Sequence, residues 1–307
     1  MKIRLLVLSL FSIFGVSACG GSGSTLGSST SSNTTATNDQ ITQVVSTATN
    51  SGNTIGLTNT LDATVTTGAG AGSNTSSASA GNAVLSAEGL WQGRADTSRV
   101  VTTLIADSSF YWMLYSSAGS STNIAGVVVG NSLSSNGQIT SNNGKDFNFE
   151  TGALLPLTWT GTYTAKSSLQ ASLTYTDIPG GVVALNAVHD SNYNLTPSFA
   201  KISGTYSGTS VSLVNGRQDT TIIIYSAGQI NGSRIDGCTF TGTISPFVRG
   251  NAYNVSIDYG VNCRERNSGR SNNSKGSAYL NPANNQLTSV SLNSSIDDVL
   301  LFIGNKR

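Results

Sequence analysis

The chain has 307 residues, with 16 Lys and Arg against 15 Asp and Glu and a single His, a formal charge of +1. So even a balance gives no general electrostatic reason to expect nucleic acid or an anionic surface as a partner. Its three cysteines, Cys19, Cys238 and Cys263, and its one histidine are too few for a histidine-rich metal set, so no cofactor or metal is expected.

At the start, Met1-Lys2-Ile3-Arg4 carries two positive charges, and Leu5 to Val16 carries none. This is the basic and apolar pattern of an export signal, residues 1–18. An apolar helix of about 18 Å is too short for a ~30 Å hydrocarbon layer, which disfavours a permanent transmembrane helix. Without Lys2 and Arg4 the balance becomes 14 against 15, near −1.

Val16-Ser17-Ala18-Cys19 resembles the lipobox of bacterial prolipoproteins, with Val16 where Leu is usual. The resemblance implies cleavage before Cys19 and attachment there of a diacylglyceryl group, usually with further acylation of the palmitate kind. More than one acyl chain makes such an anchor stable. Gly20 is not the Asp that commonly signals inner-membrane retention in enteric-type bacteria. The expected location is therefore the outer membrane, facing either the periplasm or the exterior.

Residues 20–87 contain no Lys, Arg, Phe, Tyr or Trp and are dominated by Ser, Thr, Asn, Gly and Ala. Such a stretch cannot bury enough apolar area to offset the entropy of ordering it. Residues 19–87 are therefore expected to be a lipidated, disordered tether, spanning roughly 45 Å as a flexible coil.

Residues 88–307 hold all three tryptophans and all ten tyrosines and are long enough for a real core. Short Val-, Ile-, Thr- and aromatic-rich runs separated by Gly, Asn and Ser predict an all-β antiparallel meander, a barrel-like or sandwich body. Expected strands are 89–94, 99–106, 109–116, 123–130, 146–149, 155–164, 168–176, 200–208, 219–226, 235–246, 253–263, 276–281, 286–292 and 299–304. In Phe110-Tyr111-Trp112-Met113-Leu114-Tyr115, alternation places Phe110, Trp112 and Leu114 in the core and the others toward a second sheet or a partner.

Gly89-Leu90-Trp91-Gln92-Gly93 returns as Gly204-Thr205-Tyr206-Ser207-Gly208, 115 residues later, and three further parallels follow in order. Two related halves, 89–195 and 203–307, are the expected organisation, with 178–199 as their junction. A single curled body is the favoured packing, and two lobes side by side the alternative. The Gly-aromatic strands resemble the β-barrel lobes of Gram-negative surface lipoproteins that bind host proteins. That resemblance assigns no binding residue.

A hairpin is expected from 236–246 to 253–263, turning at Gly250-Asn251. In that register Cys238 faces Cys263, Phe240 faces Val261, Gly242 faces Tyr259, Ile244 faces Ile257 and Pro246 faces Val255. An exported chain meets an oxidising compartment, so Cys238 and Cys263 are expected to form a disulfide. Arg264, Arg266, Arg270 and Lys275 read as a solvated loop, interrupted by Glu265.

Enzymatic chemistry has little support. His189-Asp190 offers a base and an acid, but neighbouring strand residues point to opposite faces, and His189 reads as a solvated loop residue. There is no Gly-x-Ser-x-Gly elbow, His-Glu-x-x-His motif or phosphate loop. The expected function is non-enzymatic binding or adhesion at the cell envelope. Its partners would be the membrane through the N-terminal lipid and an extracellular or periplasmic protein or glycan. A structural or assembly role in the envelope is the alternative, and a secreted-type hydrolase is less favoured.

Overall fold

A computed structural model describes residues 86–106, 109–267 and 272–307. The expected export signal, Cys19 and nearly all of the expected tether lie outside the described residues.

The described chain is all-β apart from single helical turns, and it forms two closed antiparallel barrels of eight strands. The eight strands of the first barrel are β1 (Gly89–Ala95), β2 (Val100–Ile105), β3 (Phe110–Ser116), β4 (Ile124–Asn131), β6 (Gln138–Asn148), β7 (Ala153–Thr164), β8 (Ser168–Tyr175) and β9 (Val182–His189), and β5 (Leu133–Ser135) is a short ninth strand beside them. The short β5 pairs with one end of β6 while β4 pairs with the other, and β1 closes against β9. The second barrel comprises β10 (Gly204–Ser212), β11 (Gly216–Ile224), β12 (Gln229–Arg234), β13 (Thr239–Pro246), β14 (Tyr253–Tyr259), β15 (Asn273–Asn281), β16 (Gln286–Asn293) and β17 (Val299–Lys306). Its first and last strands also pair. The body is thus two barrels, not the single curled body that the sequence favours.

The repeated Gly-aromatic motif marks the closing seam of each barrel. Gly93 faces Ala187 of the last strand, and Gly208 faces Gly304. A Cβ on Gly93 would lie 2.1 Å from the Asn186 carbonyl oxygen, and one on Gly208 would lie 2.0 Å from that of Ile303. Only hydrogen fits where first and last strands approach so closely. The aromatic residue two positions before each glycine points into the barrel and donates to a carbonyl four residues upstream. Trp91 Nε1 reaches Ala87 at 3.0 Å, and Tyr206 Oη reaches Ile202 at 2.7 Å.

Between the barrels lie a 3-10 turn (Ser191–Asn194) and α1 (Phe199–Ile202), whose N-cap Ser198 accepts from the Lys201 amide. The junction, residues 190–203, is shorter than the expected 178–199 and begins later. Pro179-Gly180-Gly181 is only the turn into β9, a strand the sequence reading omitted.

Each barrel fills its own interior. Trp91, Tyr111, Met113, Ile139, Leu157 and Trp159 pack within the first; Tyr206, Phe240, Tyr253, Ile257 and Phe302 pack within the second. A third cluster joins the outer walls of the two, with Leu90, Leu104, Trp112, Leu114 and Val127 against Val211, Tyr279, Val290 and Leu301. Trp112 Nε1 donates to Ser277 Oγ at 3.1 Å across this junction. The assignment of faces on β3 is therefore inverted. Tyr111 and Met113 point into the barrel, while Trp112 and Leu114 meet the second sheet.

The predicted hairpin forms as β13 and β14, but two residues out of the expected register. Phe240 faces Tyr259, Gly242 faces Ile257, Ile244 faces Val255 and Pro246 faces Tyr253. The connection is a longer loop, with the Phe247 amide donating to the Ala252 carbonyl at 2.9 Å. Asn251 is buried in tertiary contacts instead of forming a tight turn. Its amide donates to Tyr193 O at 2.7 Å and its Nδ2 to Leu280 O at 3.1 Å. A two-residue slip keeps strand side chains on their own faces, so the inward set Phe240, Ile244, Val255, Ile257 and Tyr259 is as expected. Val261, expected opposite Phe240, instead falls beyond β14 and is exposed.

Candidate functional site

In the first barrel, the loops β1–β2, β3–β4, β6–β7 and β8–β9 gather at one end, and beneath them lies a cavity of about 120 Å³. Its walls include Met113, Val128, Leu173 and Leu185, all buried, and its polar side chains are Asp146, Tyr115, Tyr175, Arg99, Thr97 and Asn148. Asp146 stands opposite Val128 in the β4–β6 ladder and shares its inward face.

Asp146 is 1% exposed, and its carboxylate ties together strands that do not pair. Tyr115 on β3 donates to Oδ1 at 2.8 Å, and Tyr175 on β8 donates to Oδ2 at 2.8 Å. Burial pushes the Asp146 carboxyl up to about 6, against the lowering effect of the two phenol hydrogen bonds and of Arg99. Burial, with the facing carboxylate second, raises both phenols well above their ordinary range.

Arg99 is the cation at the cavity mouth, and it is engaged elsewhere. Its Nη1 donates to Ser116 O at 2.7 Å, and its Nη2 pairs with Glu150 at 2.9 Å. The guanidinium also lies 5.5 Å from the centre of the Tyr115 ring. The hydrogen bond from Arg99 holds Glu150 below the usual carboxylate range. Among the described residues, no ion pair includes Asp146.

The same end of the second barrel is closed by a different device. Cys238 and Cys263 form the expected disulfide, with Cα atoms 4.5 Å apart. They do not meet as directly opposed strand residues. Beyond β14 the chain turns at Gly260, and the Cys263 amide donates back to the Gly260 carbonyl at 3.1 Å, which carries Cys263 over Cys238. Next comes α2 (Arg264–Asn267), which buries Glu265. Arg234, at the end of β12, pairs with Glu265 at 2.5 Å and with Asp236 at 3.0 Å. Asn215 Nδ2 adds a hydrogen bond to Glu265 Oε1 at 2.7 Å.

Cys238, Cys263 and Glu265 lie close enough to suggest a metal triad. Their chemistry does not suit one, because both sulfurs are joined to each other and the carboxylate carries a buried guanidinium. Of the basic cluster expected nearby, Arg264 and Lys275 are exposed. Arg270 and the side chain of Arg266 lie outside the described residues.

His189 is not a loop residue. It ends β9 and packs edge-on against Trp91, with ring centres 5.3 Å apart. Its Nε2 is buried without a hydrogen-bond partner, and burial lowers its pKa. Asp190 turns away to cap the 3-10 turn, accepting from the Asn192 amide at 2.9 Å. The two do not form an acid–base pair.

A larger, open groove of about 410 Å³ runs between the barrels, lined by Ile124, Phe149, Glu150, Leu213 and Arg217 among others. It is wall and loop surface without converging buried polar groups. The smaller cavity has them, and polar groups within an apolar concavity are what fix a ligand. The sequence reading missed Asp146, Tyr115 and Tyr175 as a set. The available signal was a carboxylate at an inward-facing strand position.

Comparison with known protein families finds no matching family model, and comparison with curated proteins finds no matching relative.

Proposed function

We propose that this chain is a lipid-anchored, non-enzymatic binding protein of the cell envelope, attached through Cys19 and taking its ligand in the first barrel. The observation that carries binding is the cavity around Asp146, where a buried carboxylate and two phenols meet apolar walls. The leader and lipobox-like Val16-Ser17-Ala18-Cys19 support the anchor. Against catalysis stands the separation of the groups that would be needed. His189 is locked against Trp91, and Asp190 caps a helical turn.

The test joins cell fractionation with native mass spectrometry of protein extracted from its own envelope. Cys19→Ala should leave the membrane fraction. The parent should carry a small molecule that Val183→Phe, which narrows the cavity mouth, does not. A Cys19→Ala protein still held in the membrane removes the anchor. A parent that brings nothing with it removes binding through this cavity.

A further inference from the structure

We propose that the cavity of the first barrel binds a small aliphatic ammonium ion, its nitrogen seated on Asp146 and its carbons against Met113, Val128, Leu173 and Leu185. This rests on the binding reading above and gives the ligand a chemical class.

The argument begins with charge. A carboxylate removed from water is costly unless a cation accompanies it. The second barrel obeys this rule at the same end, where buried Glu265 is matched by buried Arg234. The first barrel departs from it. Asp146 is as deeply buried, yet what reaches it are two neutral phenols. Arg99, whose charge acts on Asp146, divides its donors between Glu150 and the Ser116 carbonyl. It acts on Asp146 only at a distance while bound to Glu150, so among the described residues no cation contacts the buried carboxylate.

Hydrogen-bonding capacity points the same way. Two phenol donors use about half of the roughly four acceptor sites of a carboxylate, and each phenol that gives up its proton keeps its own lone pairs. Acceptors therefore outnumber donors around Asp146, as an ammonium group with three N–H bonds requires. A hard divalent cation asks for six or more oxygen ligands, whereas most of this lining is apolar, with side-chain oxygens only on Asp146, the two phenols, Thr97 and Asn148. The cation must bring its own apolar surface. A cavity of about 120 Å³ holds several waters, so the ligand is a short alkylamine and not a polyamine or a peptide.

The test is calorimetric titration of the mature full-length protein at neutral pH with isobutylammonium chloride, isobutanol and magnesium chloride, in an amine-free buffer. Isobutylammonium should bind saturably and isobutanol at least about tenfold more weakly. Magnesium should not compete. Asp146→Asn should lose the ammonium by a similar factor, with near-UV circular dichroism confirming its fold. Val183→Phe, which keeps Asp146, should also weaken it, and this variant decides the matter if Asp146→Asn does not fold. Equal binding of alcohol and ammonium overturns the proposal, as does binding unaffected by both substitutions, or none at tens of millimolar. If the envelope-extracted protein carries a neutral molecule that Val183→Phe excludes, the ammonium assignment fails while the binding reading stands.

Discussion

Replacing Asp146 with Asn removes a titrating carboxyl from the first barrel while leaving its size almost unchanged. The ordinary carboxyl value of 3.8 is pushed up to about 6 in the fold, a rise of about two units. At 1.36 kcal/mol per unit that is a stability cost of roughly 3 kcal/mol once the group is ionised. The sign follows from proton binding. Below about 4 Asp146 is protonated whether the chain is folded or not, and it contributes nothing. Between about 4 and 6 only the folded protein holds the proton, so stability falls as pH rises through that window. Above about 6 both states are ionised, and the full penalty applies. Asn carries no such penalty. Urea unfolding of parent and variant in amine-free buffers from about pH 4 to pH 8 should therefore show the stability difference moving toward the variant. The expected movement is about 3 kcal/mol, most of it complete by pH 7. Other groups titrate in both proteins and cancel. A constant difference would mean that burial does not dominate at Asp146. Movement toward the parent would mean that the phenols and Arg99 hold the carboxylate in its charged form, and the reasoning from burial would fail.

Gly208→Ala places a methyl 2.0 Å from the Ile303 carbonyl and 2.3 Å from the Gly304 Cα, so the seam must open. A loss above about 2 kcal/mol is expected, and thermal melting like the parent would refute the seam's role. Trp112→Ala empties the junction between the barrels and strands Ser277, at an expected cost of about 3–5 kcal/mol by urea unfolding. Arg234→Ala leaves Glu265 buried without its cation, for a loss of about 3–5 kcal/mol. Arg234→Ala protein with Glu265→Gln added should recover part of that loss; if it recovers none, the charge is not what matters.

Much of the fold was legible because strand alternation and turn residues are local. The two-half pattern was legible for a tertiary reason with a local signature. The closing seam demands glycine at Gly93 and Gly208, and the aromatic residue two positions before each ties down the incoming chain. What failed was pairing set by distant contacts. Asn251 is held by Tyr193 and Leu280, and this drew the β13–β14 register two residues from the one a tight turn would impose. The first half of β6 hid for a different reason. Gln138 to Gly144 is polar apart from Ile139, and a register shift between Ser141 and Gly144 breaks its alternation. The cavity was harder still. Tyr115, Asp146 and Tyr175 lie on β3, β6 and β8, which are not hydrogen-bonded neighbours, so they meet only across the interior of a finished barrel.

Because β10 bonds to β17, the second barrel has no partial form with a complete set of hydrogen-bonded strands. Until the final strand arrives, β10 and β16 each present a row of unpaired amides and carbonyls, the kind of surface on which chains stick to one another. Contacts between sequence-distant strands also form slowly. The first barrel completes itself at β9 and can be sealed while the rest is still being delivered. A chain that emerges N-terminus first thus keeps its vulnerable interval for the end. Losing even the short C-terminal strand would leave a protein prone to self-association, not a slightly smaller version of the same one.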